Sequence, residues 1–365
     1  MSGWFEFLIG RPADQLLSLG EVLVILLVAT TMVVLVTLVL ACGALLLRRR
    51  TVSARSAMTV RHGGWQRSLQ AVLYDGASAE DLTGSIAPAS GTDFLNFLLL
   101  YVRRLDGSER EQICALAEPH LPRMVTLLTH RAAGRRMRAV QTLGELGLPG
   151  YGDQVIAALD DPSPLVAMVA ASTLARAETP EYAGAVLAHL DRFAHWRQDF
   201  LSAMLASMGI GAASALRHAL ADDDATSRIR AVAADALAAL SDPLAADPAA
   251  EVLGSSDDIE LRAAALRLLA SVGRAKHLSV VREHAAAEEL PVRLAAIRAL
   301  GRFGERTDLP PLEEAAREAP SPWVAIAAAR ALKEGGGVEA LEALAGSQHP
   351  RSALGLQVIS ESRSW

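Results

Sequence analysis

Apolar residues recur with a helical period through most of this chain, and one short pattern returns every 31 or 32 residues. Around each copy the apolar positions follow i, i+3, i+4 and i+7, the spacing of one helix face rather than strand alternation. Gly, Pro and Asp fill the gaps, as in DDPSP (160–164), and favour turns and helix starts. Seven marker leucines identify the copies: Leu143, Leu174, Leu205, Leu237, Leu269, Leu300 and Leu332.

Each copy is long enough for two short helices and two turns. Such a hairpin buries its apolar face only by stacking on its neighbours, so the pattern predicts a solenoid. Alanine is frequent around the marker leucines, as in VAMVAASTLA (166–175), and small side chains let successive helices approach closely. The predicted fold class is all-α, with about seven repeats over 134–348.

The N-terminal segment has a different pattern, because no charged residue occurs from Val22 to Leu47. A helix of that length exceeds the roughly 30 Å hydrocarbon core of a bilayer, so 22–47 is predicted to be a transmembrane helix. The positive-inside rule then places 1–21 outside the cytoplasm and the repeats inside it. The arginines that set this orientation follow the span: Arg48, Arg49, Arg50, Arg55 and Arg61.

A second interpretation of the same segment stays open. Val39-Leu40-Ala41-Cys42 resembles the lipobox of bacterial lipoproteins, which would lipidate Cys42 and place the repeats outside the cytoplasm. The late position of the cysteine, the acidic residues before the span and the arginines after it favour the transmembrane helix.

The remaining segments are predicted from composition. Residues 48–92 are a basic juxtamembrane stem with a short helix at 65–74 and a flexible Gly/Ala/Ser/Thr loop. Residues 93–133 form helices that cap the open end of the solenoid, because terminal repeats must be atypical. Residues 349–365 form a short final helix and tail.

Composition narrows the function. The formal net charge is −6, whereas a solenoid that grips nucleic acid is usually basic, so no nucleic-acid partner is expected. The two cysteines provide neither a disulfide framework nor a cysteine metal site. Walker A, G-x-S-x-G and H-E-x-x-H motifs are missing from the sequence, so neither a catalytic residue nor a cofactor or metal is predicted.

The repeat resembles the short HEAT repeat of bacterial proteins, also found in bilin-lyase-like proteins. The resemblance covers about 110–348 and rests on the pattern D-P-x-x-x-V-R-x-x-A-A-x-A-L-G, as in Asp161-Pro162, Val292-Arg293 and Ala299-Leu300-Gly301. It implies a HEAT-like α-α superhelix that binds a protein partner on its concave face. Pro322-Trp323-Val324 and Gly335-Gly336-Gly337 are similar to bacterial membrane HEAT proteins associated with membrane glycosyltransferases, which implies an envelope-polysaccharide complex.

The resemblance also leaves two other classes open. One is an enzyme that acts on a small molecule, as bilin lyases do, although aromatic residues make up only 4% of the chain. Deoxyhypusine hydroxylases, another HEAT-repeat family, bind iron through His-Glu dipeptides, and here only the reversed pair Glu283-His284 occurs. The less favoured class is a nucleic-acid-binding solenoid.

Two sets of residues are candidates for a role in the array. In HEAT arrays an Asp–Arg ladder ties each repeat to the next, and the resemblance assigns it to Asp160, Asp224, Asp258, Arg136, Arg230, Arg262 and Arg293. The ladder is interrupted at Ala167 and Gln198, which predicts a different bend in the middle of the array. If the marker stretches are the outer helices, the segments after them are concave and carry the partner-binding candidates His189, Arg192, Arg217, His218, Arg282, Glu283, Glu313 and Arg317.

Overall fold

The computed structural model describes residues 19–87, 90–177 and 179–361, without the side chains of 19–22, 25, 42–61 and 85. Every regular element in these residues is helical, as predicted. The chain divides into two units, Met1–Ser85 and Ile86–Trp365. Residues 1–18 of the predicted extracytoplasmic segment lie outside the described residues. The side chains of Cys42 and of the five arginines after the predicted span also lie outside them.

The first unit contains helix α1, Leu19–Tyr74, and helix α2, Ala79–Ser85. Helix α1 continues through the predicted basic stem, and α2 lies in the predicted flexible loop. The described side chains between residues 26 and 41 are all exposed, and among the large apolar ones the exposed fraction runs from 47% at Val36 to 67% at Met32.

Among the residues searched, no single helix is both long and apolar enough to cross a membrane. The apolar stretch Leu26–Ala41 falls short of the required length. By length and composition alone, one pair of helices bent by 106°, Gln198–Ala206 with Ile210–Ala221, meets the criterion.

The second unit is a double row of helices. It starts with three helices, α3 Gly91–Val102, α4 Gly107–Ala117 and α5 Pro122–Leu127. The rest follow in order: α6 Ala133–Leu146, α7 Gly152–Ala157, α8 Pro164–Arg176, α9 Glu181–Ala188, α10 Gln198–Ala206, α11 Ala213–Ala221, α12 Ser227–Leu240, α13 Ala246–Ser255, α14 Ile259–Val272, α15 Leu278–His284, α16 Leu290–Phe303, α17 Leu309–Glu318, α18 Pro322–Glu334, α19 Val338–Ala345 and α20 Ser352–Ser360.

The seven marker leucines lie on alternate helices, α6, α8, α10, α12, α14, α16 and α18, which we call the leucine row. The helices between them, α7, α9, α11, α13, α15, α17 and α19, form the linking row. All seven leucines are at most 5% exposed, so the predicted repeat and its core positions are confirmed.

Helix starts follow the repeat. Six helices of the leucine row begin ten residues before their marker leucine. The Thr226 hydroxyl and the Asp258 carboxylate accept hydrogen bonds from the Ile229 and Leu261 amides and cap α12 and α14. Proline occurs in the first turn of α8, α16 and α18, where its missing N–H has no helical partner to lose.

Small residues set the distance between neighbouring helices of the leucine row. A Cβ atom at Gly301 would lie 2.6 Å from the Ala331 Cα of the next helix in the row. A Cβ at Gly144 would lie 1.9 Å from the Thr173 side chain at the same register. Only glycine at these positions allows the observed approach, which is the physical reason for the predicted small-residue pattern.

The repeat is broken at α10. This helix begins at Gln198, seven residues before Leu205, so its first turn is missing. The preceding segment forms a 3-10 turn at Leu190–Phe193, and α10 makes few contacts with α8, although the other neighbours in the leucine row pack closely. Arg228 of α12 donates hydrogen bonds to the carbonyls of Phe193 and Trp196 and holds this segment in place.

Helix α20 covers the last repeat, in the segment predicted to hold a short final helix. Its end is held by α18: Arg330 donates to both carboxylate oxygens of Glu361, at 3.0 and 2.8 Å. Lys333 donates to the carbonyls of Val358, Ile359 and Glu361. The last carbonyls of α20, which have no partner inside the helix, are therefore paired with a cation.

Candidate protein-interaction surface

Two of the predicted ladder arginines tie one repeat to the next. Arg136 of α6 donates to both carboxylate oxygens of Asp161 at 2.7 Å, and the pKa of that carboxyl is lowered, mainly by this hydrogen bond. Arg262 of α14 lies 3.4 Å from Glu289, in the turn before α16. Each arginine thus joins its own helix to the turn before the next helix of the leucine row.

The other two arginines bind backbone carbonyls that lie shortly before their own helix in the chain. Arg230 donates to the Leu220 carbonyl at 3.0 Å and pairs with Asp223 at 2.8 Å. Arg293 donates to the carbonyls of Ala287 and Glu288 at 2.7 and 3.0 Å. Both therefore bind the end of the preceding linking helix or the turn after it.

The acidic members predicted for the ladder have other roles, which corrects the predicted pairing. Asp160 lies 3.3 Å from both His189 and Arg192, and Asp258 caps α14. The exposed Asp224 donates its backbone amide to Asp222. The side chains of Asp160 and Asp161 have different partners although the two residues are adjacent in one turn. Arg136 therefore binds Asp161 and not Asp160.

Three of the predicted partner-binding arginines form a second set of ties between repeats. Arg217 of α11 pairs with Asp242 in the turn before α13. Arg282 of α15 donates to Asp308 at 2.6 and 3.0 Å and to Glu305 at 3.1 Å. The guanidinium of Arg282 holds the pKa of the Asp308 carboxyl below its ordinary value. Arg192 donates to the carbonyl of Asp161, in the repeat before it.

The other candidates on the linking row are bound locally or exposed. The His189 ring lies 2.7 Å from the Ala185 carbonyl, and Glu313 pairs with Arg317 at 3.0 Å along one helix. His218 and Glu283 are exposed. Three of the eight predicted contact residues thus join repeats, three are bound locally and two are exposed.

The packing between neighbouring helices also indicates which of the two rows lies on the inner side of the curved array. Neighbouring helices of the leucine row pack closely, except α8 and α10, whereas neighbouring helices of the linking row make few contacts. In a curved array the elements on the inner side are closer together than those on the outer side. This packing favours the leucine row as the inner side and does not support the predicted concave role of the linking row.

The exposed face of the leucine row carries large side chains that the predicted site omitted. Trp323 is 66% exposed and Leu290 36% exposed, at the starts of α18 and α16. Arg298 and Arg302 are exposed further along α16. The sequence did contain a pattern that could have identified this face. Arg267, Arg298 and Arg330 each lie two residues before a marker leucine.

The described residues line open depressions in the array. One of about 460 Å³ separates α15 from α17, with Ile297, Leu312 and Val324 among its apolar lining residues. Another, of about 560 Å³, lies where α10 lacks its first turn. Its arginines are already paired, Arg197 with Asp199 and Arg267 with Asp235.

The reversed pair Glu283-His284 forms no joint site. The His284 ring is 6% exposed and lies 2.8 Å from the Val280 carbonyl, whereas Glu283 is exposed. Within the residues that were searched, no group of three or more His, Cys, Asp or Glu side chains is placed to hold a metal ion. Cys114 is a free thiol whose pKa is raised by burial.

These features define an α-solenoid of paired helices. Residues 247–333, from α13 to α18, match the family model described as HEAT repeats. This part of the array is therefore of the HEAT type, as the sequence pattern predicts. A comparison with curated protein sequences gave no match.

Several solved structures are similar to this chain at low identity. Kap121p bound to Nup53p is 15% identical with a TM-score of 0.43, over 82% of this chain and 35% of that one. The chain thus spans about a third of the length of Kap121p. An engineered protein is 17% identical with a TM-score of 0.39, over 77% and 92% of the two chains. Human deoxyhypusine hydroxylase in complex with glycerol is 15% identical with a TM-score of 0.29, over 68% and 98%. None of these TM-scores reaches 0.5, so the likenesses say nothing of what this chain binds.

Proposed function

We propose that the chain is a non-enzymatic scaffold whose HEAT-type array binds a protein partner on the exposed face of the leucine row. The observation that carries the proposal is the exposure of Trp323 and Arg298 on neighbouring, closely packed helices. Tryptophan and arginine are the residues most enriched at the centres of protein interfaces. A stacked array presents such side chains on an extended, rigid surface.

The proposal includes a membrane anchor. Its support is the uncharged stretch 22–47, whose described apolar side chains are exposed and which is followed by five arginines. In this proposal the N-terminus lies outside the cytoplasm and the array inside it, at the inner membrane of a bacterium. Confinement to the membrane raises the effective concentration of a partner held there, so a modest affinity suffices.

The partner is proposed to be a membrane-associated protein, in line with the resemblance around Pro322-Trp323-Val324 to HEAT proteins associated with membrane glycosyltransferases. The array would hold a cytoplasmic domain of that partner beside the anchor and help to assemble an envelope-polysaccharide complex. The described contacts support binding rather than chemistry, because the arginines of the linking row are paired within the chain.

Crosslinking of the full-length protein in native membranes, followed by mass spectrometry, tests the proposal. We expect one dominant partner, crosslinked to the leucine row. A variant that carries both Val34→Glu and Leu38→Glu should no longer be found in the membrane fraction, because two charges in the segment 22–47 would prevent it from anchoring the chain. Crosslinks confined to residues 1–47, or the lack of any specific partner, would contradict the scaffold.

A further inference from the structure

Three arginines occupy the same register on consecutive helices of the leucine row. Arg267, Arg298 and Arg330 lie two residues before Leu269, Leu300 and Leu332 on α14, α16 and α18. These neighbouring helices pack closely, with axes about 8–10 Å apart, so the three arginines occupy equivalent positions across the face. We call Arg267, Arg298 and Arg330 the arginine row.

The two outer members of the arginine row each hold a carboxylate of this chain. Arg267 donates to both oxygens of Asp235 at 2.8 and 2.9 Å. Arg330 donates to both oxygens of Glu361 at 3.0 and 2.8 Å. Paired, planar hydrogen bonds of this kind are the strong form of arginine–carboxylate recognition.

The middle member differs. Arg298 is exposed, and no carboxylate among the described residues pairs with it. Arg267 and Arg330, on either side of Arg298 in the arginine row, each bind a carboxylate. The positive charge of Arg298 is therefore not balanced by a carboxylate of the described residues. Arg302, one turn further along α16, lies 3.4 Å from Glu334, with both side chains about half exposed.

Apolar side chains lie beside this charge. Trp323, Ile326 and Arg330 follow one face of α18 at i, i+3 and i+7, and Leu294 and Arg298 follow one face of α16 at i and i+4. Trp323 is largely exposed, and Leu294 and Ile326 are partly exposed. The face thus has an apolar half at the helix starts and a basic half beyond it.

We infer that this face of α16 and α18 binds an acidic segment of the partner protein, with a carboxylate on Arg298 and an apolar side chain on Trp323, Leu294 and Ile326. Charge complementarity selects this occupant, because Arg298 lacks an acid while both neighbours already bind one. The inference rests on the proposed function and names the chemical class of its partner.

Spacing adds a requirement. Arg298 has the register of Arg330, which lies seven helical residues, or about 10 Å along the axis, beyond Trp323. Because Arg298 lies on the neighbouring helix, about 8–10 Å to the side, the two positions are about 14 Å apart, which an extended segment covers in about four residues. We therefore expect an apolar residue and an acidic residue about four positions apart in the bound segment. A nucleic-acid backbone fits less well, because Asp235, Glu334 and Glu361 interrupt the positive charge.

Fluorescence anisotropy with the full-length protein tests the inference directly. The probe is a fluorescein-labelled pool of 15-residue peptides built from Asp, Glu, Leu, Phe and Ser, and its counterpart contains Lys and Arg in place of Asp and Glu. We expect the acidic pool to bind, with affinity reduced at least about tenfold by Arg298→Glu or by Trp323→Ala and reduced further by added salt.

Two control variants make the same kinds of change outside the proposed binding face. Arg306→Glu changes an exposed arginine outside the face, and Leu244→Ala removes an apolar side chain that is 68% exposed elsewhere. Both should leave binding of the acidic pool within about twofold. Equal binding of the basic pool, tighter binding of a single-stranded oligonucleotide, or indifference to Arg298→Glu would overturn the inference.

In-cell photocrosslinking separates this inference from the scaffold proposal. A photoreactive residue at position 298 or 323 should capture a peptide rich in Asp and Glu, as identified by mass spectrometry. A partner that crosslinks elsewhere on the array but not at these positions would leave the scaffold standing and refute the acidic docking face. The lack of a partner at every position would refute both.

Discussion

The stretch from α12 to α18 and the junction between α8 and α10 are built from the same repeat but pack differently. In the first, each leucine-row helix starts ten residues before its leucine and packs closely on its neighbour. At the junction α10 lacks its first turn and makes few contacts with α8. A marker leucine alone is thus not sufficient for close packing on both neighbouring helices, since α10 packs closely only on α12.

The position seven residues before the marker leucine also differs between the two regions. Where it is Arg136, Arg230 or Arg293, the guanidinium binds carbonyls of the turn or linking helix before its own helix. At the junction this position holds Ala167 and then Gln198, whose amide binds Asp235 instead. Arg192 partly replaces the missing arginine by donating to the Asp161 carbonyl.

The largest effect should come from filling the close contact in the regular stretch. Gly301→Ala places a methyl group against the Ala331 backbone, and such overpacking costs about 2 kcal/mol of unfolding free energy. Urea denaturation of the full-length protein measures it. Gly184→Ala, in the exposed face of α9 with nothing within 4 Å, is the control and should stabilise by about 0.5–1 kcal/mol. Equal effects at both glycines would show that the packing distance is not fixed by Gly301.

A somewhat smaller loss should follow from removing an arginine that binds a turn. Arg293→Ala leaves the carbonyls of Ala287 and Glu288 without their charged donor, at a cost of about 1–2 kcal/mol. Arg298→Ala on the same helix removes an exposed guanidinium and should change stability by less than about 0.5 kcal/mol. Thermal denaturation of the two variants decides the matter, and similar losses would argue against the role given to Arg293.

Hydrogen exchange compares the two regions without mutation. We expect the amides of α10 to exchange about tenfold faster than those of α14, which corresponds to about 1.4 kcal/mol less protection. The reason is that α10 lacks its first turn and a close neighbour on one side. Equal protection in α10 and α14 would mean that the segment 189–197 replaces the missing contacts in full.

The smallest effect concerns pH. Because Arg282 lowers the pKa of Asp308 in the folded chain, this pair stabilises the fold above the ordinary aspartate pKa of about 3.9. That stability is lost as the pH falls through the lowered value. The urea midpoint of Asp308→Asn should therefore change less between pH 5 and pH 3 than that of the unmodified chain. Parallel profiles would contradict the assigned cause.

Much of the fold follows from the sequence, because periodicity identifies which side chains must be buried. The marker leucines and the helix pairs were predicted on that basis. Hydrogen-bond partners depend on turn geometry, in which adjacent acids such as Asp160 and Asp161 point in different directions. Which row lies on the inner side of the array cannot be derived from the pattern either, because it depends on how closely the two rows pack and not on which residues are apolar.

The pairing of α20 with Arg330 and Lys333 has a consequence for self-association. A stack of similar repeats exposes, at an uncovered end, the apolar surface that would receive one more repeat, and a second copy of the chain could add there head to tail. With α20 held in place by Glu361 and the last carbonyls of the helix, Leu341 and Leu344 are buried. The two basic side chains on α18 thereby hold α20 over the apolar side of α19, the surface on which such an addition would depend.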